Sequence, residues 1–318
     1  MKRRVLGRTG LEVSVMGMGT GGHDPLGQRS GRPEREMVAL LHRAFELGIT
    51  HFDTSPGYLE SERILGSALG SLSRDAVTVS TKVALAGGHS DSVVVMKPRE
   101  VRESVESSLQ NLDTDYIDII LMAVAGPEFF DTVMNDHVPV LEALKQEGKV
   151  RCIGSSEQTR SDGSHEWLQR VLPTQVLDVA MVGHNMINQS AQDTVFPFCK
   201  THNIGVINIF TVRNLFWNPE RLREVVADLV DRELVEPDAL PENQPLGWLT
   251  DGTGVSSLVE AAYRYALHTE PVTTVMCGTL EQDELEENVA TTEKPPLPGE
   301  LRSRLKQLFG GIAEPIGN

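Results

Sequence analysis

Cysteine is scarce in this chain, and the three present, Cys152, Cys199 and Cys277, sit in or beside apolar predicted elements, with neither CxxC nor Cys/His metal spacing. That pattern excludes a disulfide framework, gives the thiols a structural role and leaves no metal expected. Positive charge is also short: 29 Lys and Arg stand against 45 Asp and Glu, for a net charge of −16 and a pI near 5.0. Nucleic acid and anionic membrane surfaces both require a basic footprint, so neither is expected as a partner. No apolar run approaches the ~20 residues of a membrane span. No secretory leader precedes Gly7, where the first turn begins, so a cytoplasmic setting is expected. The glycines at 17, 19 and 22 fall in and just after an apolar run and not in a turn that opens a helix, so no dinucleotide fingerprint follows a strand, which argues against a doubly wound nucleotide domain.

What is present is a rhythm. Residues 3–14 read as a hairpin around Gly7-Arg8-Thr9-Gly10, with Leu11 and Val13 alternating with polar neighbours. In residues 34–47 the apolar Met37, Leu40, Leu41, Ala44 and Phe45 fall at the spacing of a helix lying on a sheet. Apolar runs at 15–20, 49–52, 77–83, 116–122, 150–155, 176–182, 204–210 and 272–277 read as strands, and helices are predicted at 98–112, 140–146, around 191–201 and at 256–268. Continuous apolar strands separated by helices imply a parallel sheet covered on its outer face. The 318 residues could hold two average domains, but one barrel of the (β/α)8 kind, about 250 residues with insertions, accounts for them. Residues 217–254 interrupt the rhythm with a charged helix, 219–234, and a proline-rich run, 236–245. This segment either covers the mouth and shapes specificity or is an ordinary surface insertion. A last helix, 301–309, should pack on the outside.

Everything turns on residues 51–63. The apolar run 49–52 delivers a carboxylate, Asp53, and a Ser-Pro-Gly turn carries the phenol of Tyr58 toward Ser61, where an amphipathic helix begins. A phenol with an ordinary pKa of about 10 is a poor acid at neutral pH unless a cation lies close by. Lys82 closes the next predicted strand, so the ends of consecutive strands would bring Asp53, Tyr58 and Lys82 to one rim.

These phrases carry a resemblance. FDTSPGYLESERILGSAL and STKV, together with LGRTGLEVSVMGMGT, SLQNLDTDYIDIILM, GKVRCIGSS, HNMINQSA and CGTLEQDELEEN in that order, resemble the aldo-keto reductases over nearly the whole chain. The resemblance implies a (β/α)8 barrel at 15–290, closed below by the hairpin 1–14 and followed by a C-terminal helix and tail at 291–318. It also implies hydride transfer between NAD(P)H and a small carbonyl or alcohol. Tyr58 matches the family's general acid, Lys82 the residue that lowers its pKa and Asp53 the partner of that Lys. The family's His at the end of the fourth strand falls on Ala123, whose methyl group cannot donate a hydrogen bond. Three explanations stay open. Another donor such as His184, His89 or a water stands in; the chemistry is a non-redox lyase, dehydratase or isomerase reaction or mere nucleotide sensing; or the residue at 123 has been exchanged by design.

For the cofactor, barrels of this kind bind phosphate with the loops after strands seven and eight. Those loops hold Thr211, Arg213, Gly278 and Thr279, and Asn288 beside Glu287 matches a residue that binds adenine in the family. The resemblance adds Gly19, Thr20 and Asp53, and three departures: Ser156-Glu157 where the family reads Ser-Asn, Met181 for a Gln, and Ile209 followed by Phe210 for a stacking Tyr. No Arg or Lys lies between Gly278 and Asn288, which favours NAD over NADP, although Arg213 could supply the charge. Tyr58, Trp217 and His184, the last facing the mouth after the sixth strand, are the expected substrate contacts. His51 reads as a packed strand residue, and His42, His137, His165, His202 and His268 read as solvated. Loops 84–97, 123–137 and 211–254 would choose the substrate, and a sugar, a terpenoid or an aromatic ketone fits them equally.

Overall fold

The first two strands, β1 (Arg3–Val5) and β2 (Glu12–Ser14), pair antiparallel from Arg3 opposite Ser14 to Val5 opposite Glu12. Gly7 in the turn has φ +51°, and a Cβ there would lie 2.2 Å from the Gly205 nitrogen, so close approach as well as backbone conformation demands glycine. The approach serves a purpose. Leu6, Leu11 and Val13 join Ile119, Leu121, Cys152, Val179, Met181 and Ile207 in one buried apolar cluster, so the hairpin plugs the end from which the strands start. The computed structural model describes all residues except 90–91, 158–161, 314–315 and 317–318.

Eight strands run parallel: β3 (Met16–Gly19), β4 (His51–Asp53), β5 (Thr78–His89), β7 (Ile117–Val124), β8 (Val150–Ser156), β9 (Val179–Gly183), β10 (Gly205–Ile209) and β11 (Val272–Cys277). Their order is β4-β3-β11-β10-β9-β8-β7-β5, and the pairing of β4 with β5 closes the barrel. Outside lie α1 (Glu34–Glu46), α2 (Ser61–Leu69), α3 (Pro98–Asn111), the single turn α4 (Phe130–Thr132), α5 (Val138–Gln146) and α6 (Glu166–Val171). The stripe on α1 buries Met37, Leu40, Leu41 and Ala44 against the strands, at about 1.5–3 kcal/mol for each large side chain removed from water.

Two segments depart from the sequence expectation, and a third, residues 217–254, holds its expected charged helix and packs it into the body. β5 does not stop at residue 83 but runs on past Lys82 and returns as β6 (Ser92–Val95), with Ala86 opposite Val95. Residues 90–91 of the expected substrate loop lie outside the described part. The helix expected around 191–201 is two, α7 (Ala191–Thr194) and α8 (Phe196–His202), because Pro197 in the first turn of α8 has no N–H to continue the ladder. Residues 217–254 are no loose insertion. In α9 (Pro219–Asp231), capped by the Asn218 side chain, Leu222, Val225, Val226 and Leu229 are buried, and Leu246 and Leu249 follow them into a second apolar cluster. α10 (Leu258–Leu267) contributes Tyr265 to that cluster, and α12 (Gly299–Phe309), which follows α11 (Gln282–Ala290), contributes Leu305 and Phe309. Residues 314–315 and 317–318 of the expected tail lie outside the described part. Among the described residues, no helix is long and apolar enough to cross a membrane.

Candidate active site

β4 ends on Asp53, which lies opposite Ser80 in register, and Lys82 follows two residues later on the same face of β5. The Lys82 ammonium donates to Asp53 Oδ2 at 2.6 Å and to the Thr54 carbonyl at 2.9 Å, while Ser80 Oγ donates to Asp53 Oδ1 at 2.8 Å. Lys82 and Asp53 have side chains only 10% and 8% exposed. Burial works against the charge on Lys82, yet Asp53 and the Tyr58 phenol outweigh it, so the ammonium pKa is raised. Tyr58 is half-buried. A Ser55–Tyr58 turn bond of 3.0 Å holds its backbone, and its ring centroid lies 5.0 Å from Lys82 Nζ. Ammonium has three donors; Asp53 and Thr54 take two, which leaves one for the phenol.

Behind this group, His51 Nε2 lies 3.0 Å from Ser80 Oγ. Because Ser80 gives its single hydrogen to Asp53, His51 must be the donor in that contact. Burial holds the His51 pKa down at about 4, so the ring is neutral.

Across the rim, Ala84, Ala123, Ser156 and Met181 pair in sequence on four strands. Ile119 and Leu121 belong to the interior cluster, so the two-residue period turns Ala123 into the mouth too. Ser156 Oγ contacts Met181 Sδ at 3.4 Å. The residue just past the end of β8 points the other way. Glu157, expected to meet the cofactor, accepts from the Gly183 N–H at 2.7 Å and pairs with His165 Nδ1. Burial pushes its carboxyl pKa up, and His165 offsets part of that rise. His165, read as solvated, is buried with φ +63° and has Nε2 2.7 Å from Ser190 Oγ. His137, also read as solvated, is buried with Nε2 2.6 Å from the Met96 carbonyl.

His184 requires the same correction. With Gly183 inside, the alternation sends His184 to the helix side, where its ring sits 5.2 Å from Phe196 and 5.5 Å from Tyr265 by centroids. It is fully buried, and burial drives its pKa down to about 3. It therefore stands behind the strand and not in the mouth as a substrate contact. The side chain of His89, the other His considered as a donor, lies outside the described part.

At the opposite side of the rim, Gly19 and Gly278 leave open space: a Cβ on Gly278 would meet nothing closer than the Gly19 carbonyl at 3.8 Å. Among the described residues, Thr20 Oγ1, Thr54 Oγ1, Asn208 Oδ1 and Thr274 Oγ1 are buried without a hydrogen-bond partner. Thr211 is buried and accepts from Asn208 Nδ2 at 2.6 Å. Phe210 directly follows β10, at φ +58° and 39% exposed, with the Arg213 guanidinium 4.7 Å above its ring. Thr279 Oγ1 donates to Glu284 and accepts from the Glu281 N–H, Glu287 is exposed, and Asn288 donates to Cys277 Sγ at 3.4 Å. Trp217 is 64% exposed.

Two cations escaped the sequence reading because they come from far along the chain. Arg32 binds the Leu280 carbonyl and Glu281, and Arg43 binds Glu286 at 2.9 Å. Only a fold that lays the β3–α1 region beside α11 makes them neighbours of the acidic stretch.

A closed eight-stranded barrel with buried, paired charges at the carboxyl ends of its strands defines the class, a (β/α)8 enzyme with its chemistry at that rim. The aldo/keto reductase family model matches residues 15–308, and the chain belongs to that family of oxidoreductases, which use nicotinamide cofactors on small carbonyl substrates. It is 29% identical to the L-galactose dehydrogenase of Arabidopsis thaliana over 320 aligned positions, covering 99% of this chain and 95% of the relative. It is 32% identical to the NADH-specific methylglyoxal reductase of Escherichia coli over 65% of this chain and 66% of that one. The solved structure of aldo-keto reductase AKR11C1 from Bacillus halodurans, in its holo form, superimposes with a TM-score of 0.72 at 25% identity, covering 97% of this chain and 96% of the other.

Proposed function

We propose that this enzyme transfers hydride between a nicotinamide dinucleotide and a small carbonyl or alcohol, with Tyr58 exchanging the proton at the substrate oxygen. The observation that carries the reading is the Lys82 ammonium, fixed by Asp53 and Thr54 with Nζ 5.0 Å from the Tyr58 ring centroid. Tyr58 Oη gives its proton to the developing alkoxide. Lys82 holds the phenol oxygen through its remaining N–H, and Asp53 keeps Lys82 charged and oriented.

The residues present fit a dinucleotide: the open lip at Gly19 and Gly278 and the unpartnered Thr20 hydroxyl suit close approach and hydrogen bonding by a ligand. When bound there, it supplies or accepts the hydride. Gly19, Thr20, Ser156 and Met181 would hold its nicotinamide end, Thr211, Arg213, Gly278 and Thr279 its phosphates, and Asn288 its adenine. We favour NAD over NADP. Glu281, Glu284 and Glu287 would oppose a 2′-phosphate, Arg32 and Arg43 are already paired with Glu281 and Glu286, and a relative is NADH-specific by name. We further read the chain as one domain acting in the cytoplasm, a setting that suits its free, buried thiols.

Ala123 selects the substrate class. Without a side-chain donor at that position, a carbonyl flanked by its own hydroxyl or second oxygen is at an advantage, and the names of two relatives, on L-galactose and methylglyoxal, agree with that class. The test is a paired NADH and NADPH titration by Trp fluorescence on this chain and on Ala123→His, followed by reduction or oxidation assays with methylglyoxal and L-galactose. Tighter binding of NADH, with turnover that rises roughly 10²-fold in Ala123→His, is expected, since one preorganised donor is worth that much. Cofactor-independent turnover would favour the lyase or isomerase reading. Binding without turnover in either protein would favour nucleotide sensing.

A further inference from the structure

We propose that Gly21 and Gln28, on the loop between β3 and α1, are positioning residues that set Tyr58 for proton transfer; the inference rests on the Tyr58 role given above. Gly21 acts by having no side chain. A Cβ at that position would come 2.4 Å from Tyr58 Cε2 and 2.5 Å from Cζ, well inside contact distance, so the phenol ring occupies the space a side chain would take. The clash falls on the ring end that carries the hydroxyl. Any shift that relieves it changes the spacing between the phenol and Lys82.

Gln28 holds the backbone on which that ring is carried. Its Nε2 shares its two hydrogens among the Pro25 carbonyl at 2.8 Å, Ser61 Oγ at 3.0 Å and the Tyr58 carbonyl at 3.2 Å, while its Oε1 accepts from the Glu60 N–H at 2.8 Å. One amide thus ties both ends of segment 58–61 to the β3–α1 loop, and Ser61 Oγ continues the link to the Thr20 carbonyl at 3.3 Å. Leu26 and Leu59, at φ +44° and +55°, hold left-handed conformations that residues with side chains rarely adopt, one on each side of this brace. The loop has its own anchors. The Asp24 carboxylate accepts from the Arg29 and Ser30 N–H groups, and Arg32 reaches the Leu280 carbonyl at 3.1 Å. A braced loop can therefore transmit a fixed position to Tyr58, and a misplacement of about 1 Å at a reacting group costs about 10²-fold in rate.

The experiment compares Gly21→Ala, Gln28→Ala, Tyr58→Phe and the two double variants that join each loop substitution to Tyr58→Phe, all in the full chain, with NADH and methylglyoxal as probes. It reads kcat, KM, cofactor affinity and the ring resonances of the four tyrosines, with Tyr58 assigned by its loss in Tyr58→Phe. We expect kcat to fall 10-fold or more in each brace variant, with KM and cofactor affinity within about twofold of the parent. We also expect the Tyr58 resonance to move while those of Tyr116, Tyr263 and Tyr265 stay, and no further loss in the double variants. An unmoved Tyr58 resonance with parental kcat, or a kcat loss matched by equal losses of cofactor affinity and folding, overturns the positioning role and leaves the Tyr58 assignment standing. Turnover that survives in Tyr58→Phe overturns that assignment instead.

Discussion

At the end where the strands begin, the hairpin presses Leu6, Leu11 and Val13 against Ile119, Cys152 and Ile207, every one of them at most 6% exposed. At the end where the same strands finish stand Asp53, Lys82, Ser156 and Thr20, buried but polar, and among the described residues the Thr20 and Thr54 hydroxyls there have no hydrogen-bond partner. One end is closed by apolar contact and asks for no partner; the other holds paired charge and keeps unmet hydrogen-bonding capacity. The difference shows how a barrel keeps a costly polar site: the apolar end, and the helices outside, supply the stability that lets the rim be built for chemistry.

That division can be broken from either side. Lys82→Met should do the most damage, because it strands the Asp53 carboxylate unpaired in a buried place; removal of one partner of a buried pair costs about 3–5 kcal/mol. Chemical denaturation should show that loss together with the loss of turnover. Leu6→Ala, at the plugged end, should cost about 2–5 kcal/mol of stability while cofactor affinity and kcat of the folded fraction stay near parental values. If Leu6→Ala changed kcat as strongly as it changed unfolding, the two ends would not be separable.

A pH titration of stability sharpens the comparison. His51, behind Asp53, has a folded pKa of about 4 against an unfolded value near 6.5, because burial disfavours its charged form. Above pH 6.5 both states are neutral and His51 contributes no slope. As pH falls from 6.5 toward 4 the unfolded chain takes up a proton that the native site refuses, so stability declines, by roughly 3 kcal/mol in total at 1.36 kcal/mol per unit. His184, at about 3, adds a loss of the same sign that runs further into acid. Unfolding free energies measured from pH 7 to pH 4 should show this decline, and His51→Gln should flatten part of it. The smallest effect belongs to the outer surface. Arg99 pairs with Glu103 one turn along α3 but is 87% exposed, so Arg99→Ala should leave the unfolding midpoint where it was.

Much of this was legible because the relevant information is local. The period-two and helical spacings fixed the hairpin, the strands and α1, and the short stretch from Phe52 to Tyr58 with Lys82 on the next strand announced the charged site, which β4 and β5 bring together as expected. What was misread depends on parity or on distance. Glu157 and His184 each stand one residue beyond an inward-facing position, Ser156 and Gly183, so they turn to the helix side; the inward run of Val179, Met181 and Gly183 was the signal that could have placed them. His165 looked solvated because its partners, Glu157 and Ser190, lie 8 and 25 residues away in sequence. Gln28 and Arg32 stand between the strand expected at 15–20 and the helix expected at 34–47, where local spacing carries no signal, since what each binds is reached through the closed barrel and not along the chain.

The most direct measurement is the rate of a single turnover in Tyr58→Phe, with enzyme in excess over substrate and the reduced nicotinamide absorbance followed beside the parent. The chemical step should be slower by about 10²–10⁴, with cofactor affinity unchanged within about twofold. A parental rate in Tyr58→Phe would contradict the assignment of the proton to Tyr58, and with it the reading of Lys82 and Asp53 as its support.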